Sequence, residues 1–196
     1  MFIQVFGAKV RDVDFWEQRV DVWRRDIKSV TKGFLGFTSG VTRDLDMVTI
    51  VRFRSAELAR ADSAAPAQSA WFEASAKAFD GPVTFHDCND VDVLMDGGSD
   101  RAGFVQVLQA RAKDQRAMRA QLGEFEPALR AARPDLFGTT VAWHGDGGFT
   151  MASYFTSEVE ARANEATSGD SELNGRFRSL LDGEPAYFDL SKPEFE

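Results

Sequence analysis

From Phe2 to Lys9 apolar side chains occupy both alternating faces, with Phe2, Phe6 and Ala8 on one and Ile3, Val5 and Gly7 on the other; Gln4 alone interrupts the run. Such a pattern predicts a central strand covered on two sides. The period then changes. Behind Asp12, a residue type that caps helices, Trp16, Val20, Trp23, Ile27 and Val30 recur every three or four positions, which predicts an amphipathic helix with an aromatic stripe. Arg19, Asp21, Arg24, Arg25 and Asp26 cover its other face. Two strands follow, Phe34 to Thr42 and Asp46 to Arg54, around a turn at Arg43-Asp44-Leu45. A second helix starts at Ser55, is interrupted at Ala65-Pro66, resumes through Trp71-Phe72 to Phe79 and stops at Asp80-Gly81, where glycine accepts the left-handed conformation of a helix end. Val83 to Phe85 is the last strand of this set.

The whole series then repeats. A shift of 102 positions carries Phe2-Ile3-Gln4-Val5 onto Phe104-Val105-Gln106-Val107 and holds without a gap, pairing Asp12 with Asp114, Gly36 with Gly138, Ser55 with Ser157 and Asp80-Gly81 with Asp182-Gly183. The second helical stripe is Met118, Leu122, Phe125 and Leu129, ending near Arg133-Pro134. His144-Gly145-Asp146-Gly147-Gly148 marks a hairpin and puts His144 at its exposed tip, and Ser157-Glu158-Val159-Glu160 fits a capping box. The second broken helix is interrupted at Ser168-Gly169-Asp170 and runs on from Leu173 to Leu181 before a strand at Ala186 to Phe188. Each copy therefore spells β-α-β-β-α-β, an α+β ferredoxin-like repeat. The expected domains are residues 1–95 and 103–196, joined by a polar linker at 96–102. One face of each sheet takes the helices; the other is also apolar and needs a cover, for which the sister copy is the evident candidate.

Composition narrows the classes of partner. Against 23 basic side chains stand 31 acidic ones, a formal charge of −8 that disfavours nucleic acid and anionic membrane surfaces. Cys88 is the single cysteine, in keeping with a reducing, cytoplasmic setting. The N-terminus has no basic region ahead of an apolar one, and no apolar run reaches the roughly 18–20 residues that cross a bilayer. His86, His144 and Cys88 have no zinc-type spacing, and Asp87, Asp90 and Asp92 lack the loop of a calcium site. Nucleotide and serine-hydrolase motifs are missing too, so neither a metal nor a cofactor is expected.

The element order, Gly36-Phe37 entering the second strand and Trp71-Phe72 in the broken helix resemble the dimeric α/β-barrel superfamily, and within it the antibiotic-biosynthesis-monooxygenase-like group. The resemblance covers residues 1–95 and 103–190. It implies that the two repeats pack sheet to sheet as an intramolecular pseudo-dimeric α/β barrel, a monomeric pseudo-dimer or a homodimer of such chains. It also implies two kinds of activity. Haem degraders of the group need an asparagine late in the first strand, here Phe6 or Leu108, and a histidine beyond the helical tryptophan, where this chain has Phe79-Asp80-Gly81; the axial ligand is absent. Cofactor-independent oxygenases of phenolic or polycyclic aromatic compounds need a pocket, a group that favours the phenolate and shielding from water. Gln4, Arg52 and His86 are the polar candidates, with Phe6, Trp71 and Phe72 as aromatic ones. The copies diverge there, at Trp71/Leu173, Phe72/Asn174, Arg52/Tyr154 and His86/Phe188. The first copy is thus the expected home of a small aromatic ligand, and the alternative is a non-catalytic, stress-related or ligand-sequestering barrel whose interior is filled by its own side chains. A cavity of a few hundred Å³ beside Trp71 separates the two.

Overall fold

The computed structural model describes residues 1–168 and 172–196; Gly169 and Asp170, the expected break in the second copy, lie outside them. The first copy forms β1 (Phe2–Lys9), α1 (Val13–Asp26), β2 (Phe34–Val41), β3 (Asp46–Phe53), α2 (Ala56–Ser63), α3 (Pro66–Ser75) and β4 (Thr84–Cys88). After β5 (Asp90–Leu94) the second copy forms β6 (Phe104–Arg111), α4 (Gln115–Ala132), β7 (Leu136–Trp143), β8 (Gly148–Phe155), α5 (Glu158–Ser168), α6 (Glu172–Ser179) and β9 (Ala186–Leu190). The chain closes with β10 (Glu194–Phe195).

Among the described residues two antiparallel five-stranded sheets form, ordered β10-β2-β3-β1-β4 and β5-β7-β8-β6-β9. Within each, the four strands that follow the edge strand have the ferredoxin-like order, so both repeats are α+β βαββαβ units. The chain divides into two compact units, Met1–Asn89 with Glu194–Glu196, and Asp90–Pro193.

The duplication extends to single bonds. Asp12 accepts from the Phe15 amide at 2.9 Å and Asp114 from the Ala117 amide at 2.9 Å, each satisfying a donor that a helix start leaves unpaired. The second strand bulges at the same place in both copies, between Phe34 and Gly36 and between Leu136 and Gly138. A Cβ on Gly36 would come within 3.0 Å of the Glu196 carbonyl oxygen, and one on Gly138 within 3.0 Å of those of Met95 and Gly97. Glycine recurs there because another backbone segment crosses the bulge at that point.

Two expectations fail locally. Helix α1 stops at Asp26 and the chain tightens into a 3-10 turn over Lys28–Val30, whose shorter period swings Val30 out of the stripe to 65% exposure. His144 is not at an exposed tip: it is 9% exposed, and its Nε2 lies 2.9 Å from Thr150 Oγ1. The turn beyond it is glycine-rich and folds back closely enough for the imidazole to pack over Gly148.

Candidate functional site

Strand register decides which side chains of the first sheet meet its helices. Gln4 faces Val51 across β1 and β3, and Phe6 faces Thr49; Phe37 and Ser39 of β2 pair with Val51 and Thr49, and Phe85 of β4 pairs with Phe6. Directly opposed residues share a face, so these seven point the same way. Across from them stand Trp16, Val20 and Trp23 of α1. The helical wall is completed by residues around the break between α2 and α3, where Pro66 begins a new helix and turns Asp62, Ser63, Gln68 and Ser69 toward the sheet. Between the two walls lies a cavity of about 460 Å³, which Trp71, Phe72 and Glu73 also line. Its volume falls in the range of small-molecule sites.

The walls are largely aromatic and their rings are tilted against one another rather than stacked. Trp16 and Trp71 are 6.0 Å apart at 53°, Phe72 and Phe85 5.6 Å at 53°, and Trp23 meets Phe34 edge-on at 5.0 Å. Tilted rings leave faces and edges available to a further flat ring. Phe85 is 48% exposed although it lines the cavity, and the lining residues Ser63, Ser69 and Glu73 are exposed as well, so the cavity is open to solvent.

Hydrogen bonds hold the walls in place. The Trp71 indole Nε1 donates to the Arg19 carbonyl at 2.6 Å, Arg19 Nε donates to Ser75 Oγ at 3.2 Å, and Ser75 Oγ donates to the Trp71 carbonyl at 2.7 Å. This brace fixes the indole by both its ring and its backbone. On the sheet wall the Ser39 and Thr49 hydroxyls satisfy each other at 2.6 Å, and Gln4 Nε2 donates to Asp87 Oδ1 at 2.8 Å. On the helical wall Trp23 Nε1 donates to Gln68 Oε1 at 2.9 Å. Burial raises the pKa of Asp62 above the ordinary aspartate value, a hydrogen bond with Thr31 opposing the shift. A carboxyl so placed takes up a proton more readily than a solvated one.

Gln4, Phe6, Trp71 and Phe72 are thus brought together around the cavity. Arg52 and His86 are not among its lining residues. Each is one residue out of phase: Arg52 pairs with Ile3 and His86 with Val5, on the opposite face of the sheet, where Arg52 Nη1 donates to Thr38 Oγ1 at 3.1 Å. The acidic residues at the repeat boundary also find partners within the protein. Arg119 binds Asp90 and Asp92, and Trp143 Nε1 donates to Asp92 at 2.7 Å. Among the described residues no cluster of metal-ligating side chains occurs.

No protein-family model and no curated protein matches the sequence. Solved structures do match it in shape. A candidate monooxygenase from Fusobacterium nucleatum superposes with a TM-score of 0.75 at 9% identity, over 100% of this chain and 93% of its own. An anthrone oxidase-like protein gives 0.71 at 11% identity, over 100% and 92%. An uncharacterised ferredoxin-fold protein from Listeria monocytogenes, related to antibiotic biosynthesis monooxygenases, gives 0.55 at 12% identity, over 98% and 95%. The fold is that of the antibiotic-biosynthesis-monooxygenase-like proteins.

In this antibiotic-biosynthesis-monooxygenase-like fold, sequence reasoning missed much of the cavity wall. Trp16, Val20 and Trp23 read only as a helix burying its stripe, because periodicity reports which face turns inward and not whether that face is fully covered. Phe85 had a usable signal: alternation sets it on the Gln4 and Phe6 face once β4 pairs with β1. Asp62 and Gln68 had none, since the geometry of the break at Pro66 is needed to aim them.

Proposed function

We propose that the first unit binds a planar aromatic small molecule in the cavity between its sheet and its helices, and that the protein is a cofactor-independent monooxygenase of phenolic or polycyclic aromatic compounds. The observation that carries this reading is the 460 Å³ space itself, walled by aromatic rings and bordered by a carboxyl of raised pKa. One neighbour in shape is named for anthrone oxidation, and an anthrone is a flat tricycle of the kind such walls accept. Its ring methylene is acidic. Asp62 takes the proton, the resulting electron-rich anion reduces dioxygen directly, and the methylene carbon becomes a carbonyl; one oxygen atom stays on carbon and the other leaves as water. The sheet wall and the helical wall shield the two faces of the anion from bulk water.

A second reading is ligand sequestration without turnover. It is favoured by the polar groups of the walls, since both indole N–H groups of Trp23 and Trp71 and the Ser39 and Thr49 hydroxyls are already paired within the protein. Titration with 1,8-dihydroxyanthrone separates the two. Quenching of tryptophan fluorescence together with protein-dependent oxygen uptake supports the oxygenase, and quenching with no uptake above the buffer rate leaves the sequestering protein. If neither quenching nor a rise in melting temperature occurs, the cavity is not an aromatic-ligand site.

A further inference from the structure

Two glutamines face this cavity, one from each wall, and in each the partner dictates which end of the amide is already engaged. Asp87 offers Gln4 a carboxylate, which accepts hydrogen bonds and cannot donate them. The Gln4 nitrogen must therefore be the atom at 2.8 Å from Asp87 Oδ1, with the carbonyl oxygen turned elsewhere. The Trp23 indole is the reverse case: it donates and cannot accept, so Gln68 must present its oxygen at 2.9 Å and turn its NH2 elsewhere. Neither Gln4 Oε1 nor Gln68 Nε2 has a partner among the described residues, and neither is sealed away, because among those residues no buried side-chain polar atom lacks a hydrogen bond. Both side chains line the cavity.

We infer that Gln4 and Gln68 are specificity-determining residues that give the cavity a fixed hydrogen-bond polarity, an acceptor on the sheet wall and a donor on the helical wall. The ligand it selects is an aromatic ring system carrying a hydrogen-bond donor, such as a hydroxyl, at one end and an acceptor, such as a carbonyl, at the other. This rests on the reading of the cavity as an aromatic-ligand site. The second copy repeats only the first half of the arrangement. Gln106 Nε2 donates to Asp189 at 3.0 Å, but Asp189 is also held by Arg162. In the sequence Phe125 replaces Trp23 and Asp170 replaces Gln68, so the indole that orients the second amide has no counterpart. The Gln4–Asp87 pair by itself is therefore an inherited structural link; the pocket-specific feature is its combination with Trp23–Gln68.

The test uses three naphthalenes of one shape: 6-hydroxy-2-acetylnaphthalene, its methyl ether, and 2-naphthol, which lacks the carbonyl. Binding to the full chain is followed by tryptophan quenching and calorimetry. The hydroxy ketone should bind about fivefold to tenfold more tightly than either analogue, the usual worth of one hydrogen bond in a pocket. Gln4→Met should abolish the preference for hydroxyl over methoxy and leave that for the ketone; Gln68→Met should do the opposite. Asp87→Asn, at an exposed position, frees the Gln4 amide to rotate and should erode the hydroxyl preference even if Gln4→Met fails to fold. Equal binding of all three probes to the wild type, or preferences unchanged in the variants, would overturn the polarity and leave the aromatic-ligand reading standing. If none of the three binds, both fall together.

Discussion

Cys88 shows how far burial alone decides the chemistry of a side chain. It is fully buried on β4, and the surrounding apolar matter, with Asp87 nearby, pushes its thiol pKa up to about 12. Native protein at pH 8 should therefore resist a disulfide reagent, reacting only as it unfolds; stoichiometric labelling within minutes in buffer would contradict that placement. Asp62 is shifted in the same direction by burial. A carboxyl whose folded pKa lies above its unfolded value destabilises the fold once it ionises, so its contribution worsens as pH rises from the ordinary aspartate range through the raised pKa. Asp62→Asn should accordingly raise the melting temperature at pH 7 but not at pH 3, while abolishing protein-dependent oxygen uptake if Asp62 is the base. At this scale the sequence was a partial guide. Gln4, Phe6, Trp71 and Phe72 were legible as pocket candidates because they stand out as polar or aromatic insertions in otherwise regular elements. Arg52 and His86 stood out for the same reason but lie on the other side of the sheet, since conspicuous chemistry says nothing about phase.

The elements themselves were easier to read, because each carries its own punctuation. Asp12 and Asp114 cap, Pro66 restarts a helix, and Gly81 and Gly183 take φ values of 93° and 89° after the helices end. Removing either cap, by Asp12→Ala or Asp114→Ala, should cost about 1 kcal/mol in denaturant melts. Gly36→Ala is expected to cost more, about 2 kcal/mol or above. Gly36 has φ +130°, and the new methyl would strike the Glu196 carbonyl and the Arg52 guanidinium; a loss no larger than at a cap would mean that β10 moves aside freely. The elements misread were those governed by tertiary fit. Val30 follows the helical period in sequence but sits in a tighter turn, and His144 obeys hairpin composition yet folds inward over Gly148.

Across the whole molecule, the duplication was visible as one constant offset, and the structure keeps it down to matched bulges and caps. The fifth strand of each sheet was not visible. β5 has five residues and β10 two, and they join β7 and β2 by long-range pairing that local pattern does not encode. β10 is held by charge: Arg24 binds Glu194 and Glu196, Lys28 binds Glu196, and the Arg24 guanidinium also lies over the Phe37 ring at 5.5 Å. The Lys28 hydrogen bond, more than any other cause, holds the Glu196 carboxyl below its usual pKa. Its contribution to stability is therefore complete above the ordinary glutamate range and is lost as pH falls through the lowered folded value. Glu196→Gln should flatten the decline in melting temperature between pH 5 and pH 3; an unchanged acid limb would show that the clamp contributes nothing.

That last strand has a consequence for synthesis. Residues 194–196 belong to the unit that begins at Met1, and their backbone pairs with Phe37, a wall of the cavity. A domain normally matures as soon as its own stretch has left the ribosome. Here the first unit must wait, one edge open, until Asp90–Pro193 has been added, and only then is the strand that carries Phe37 paired on both sides.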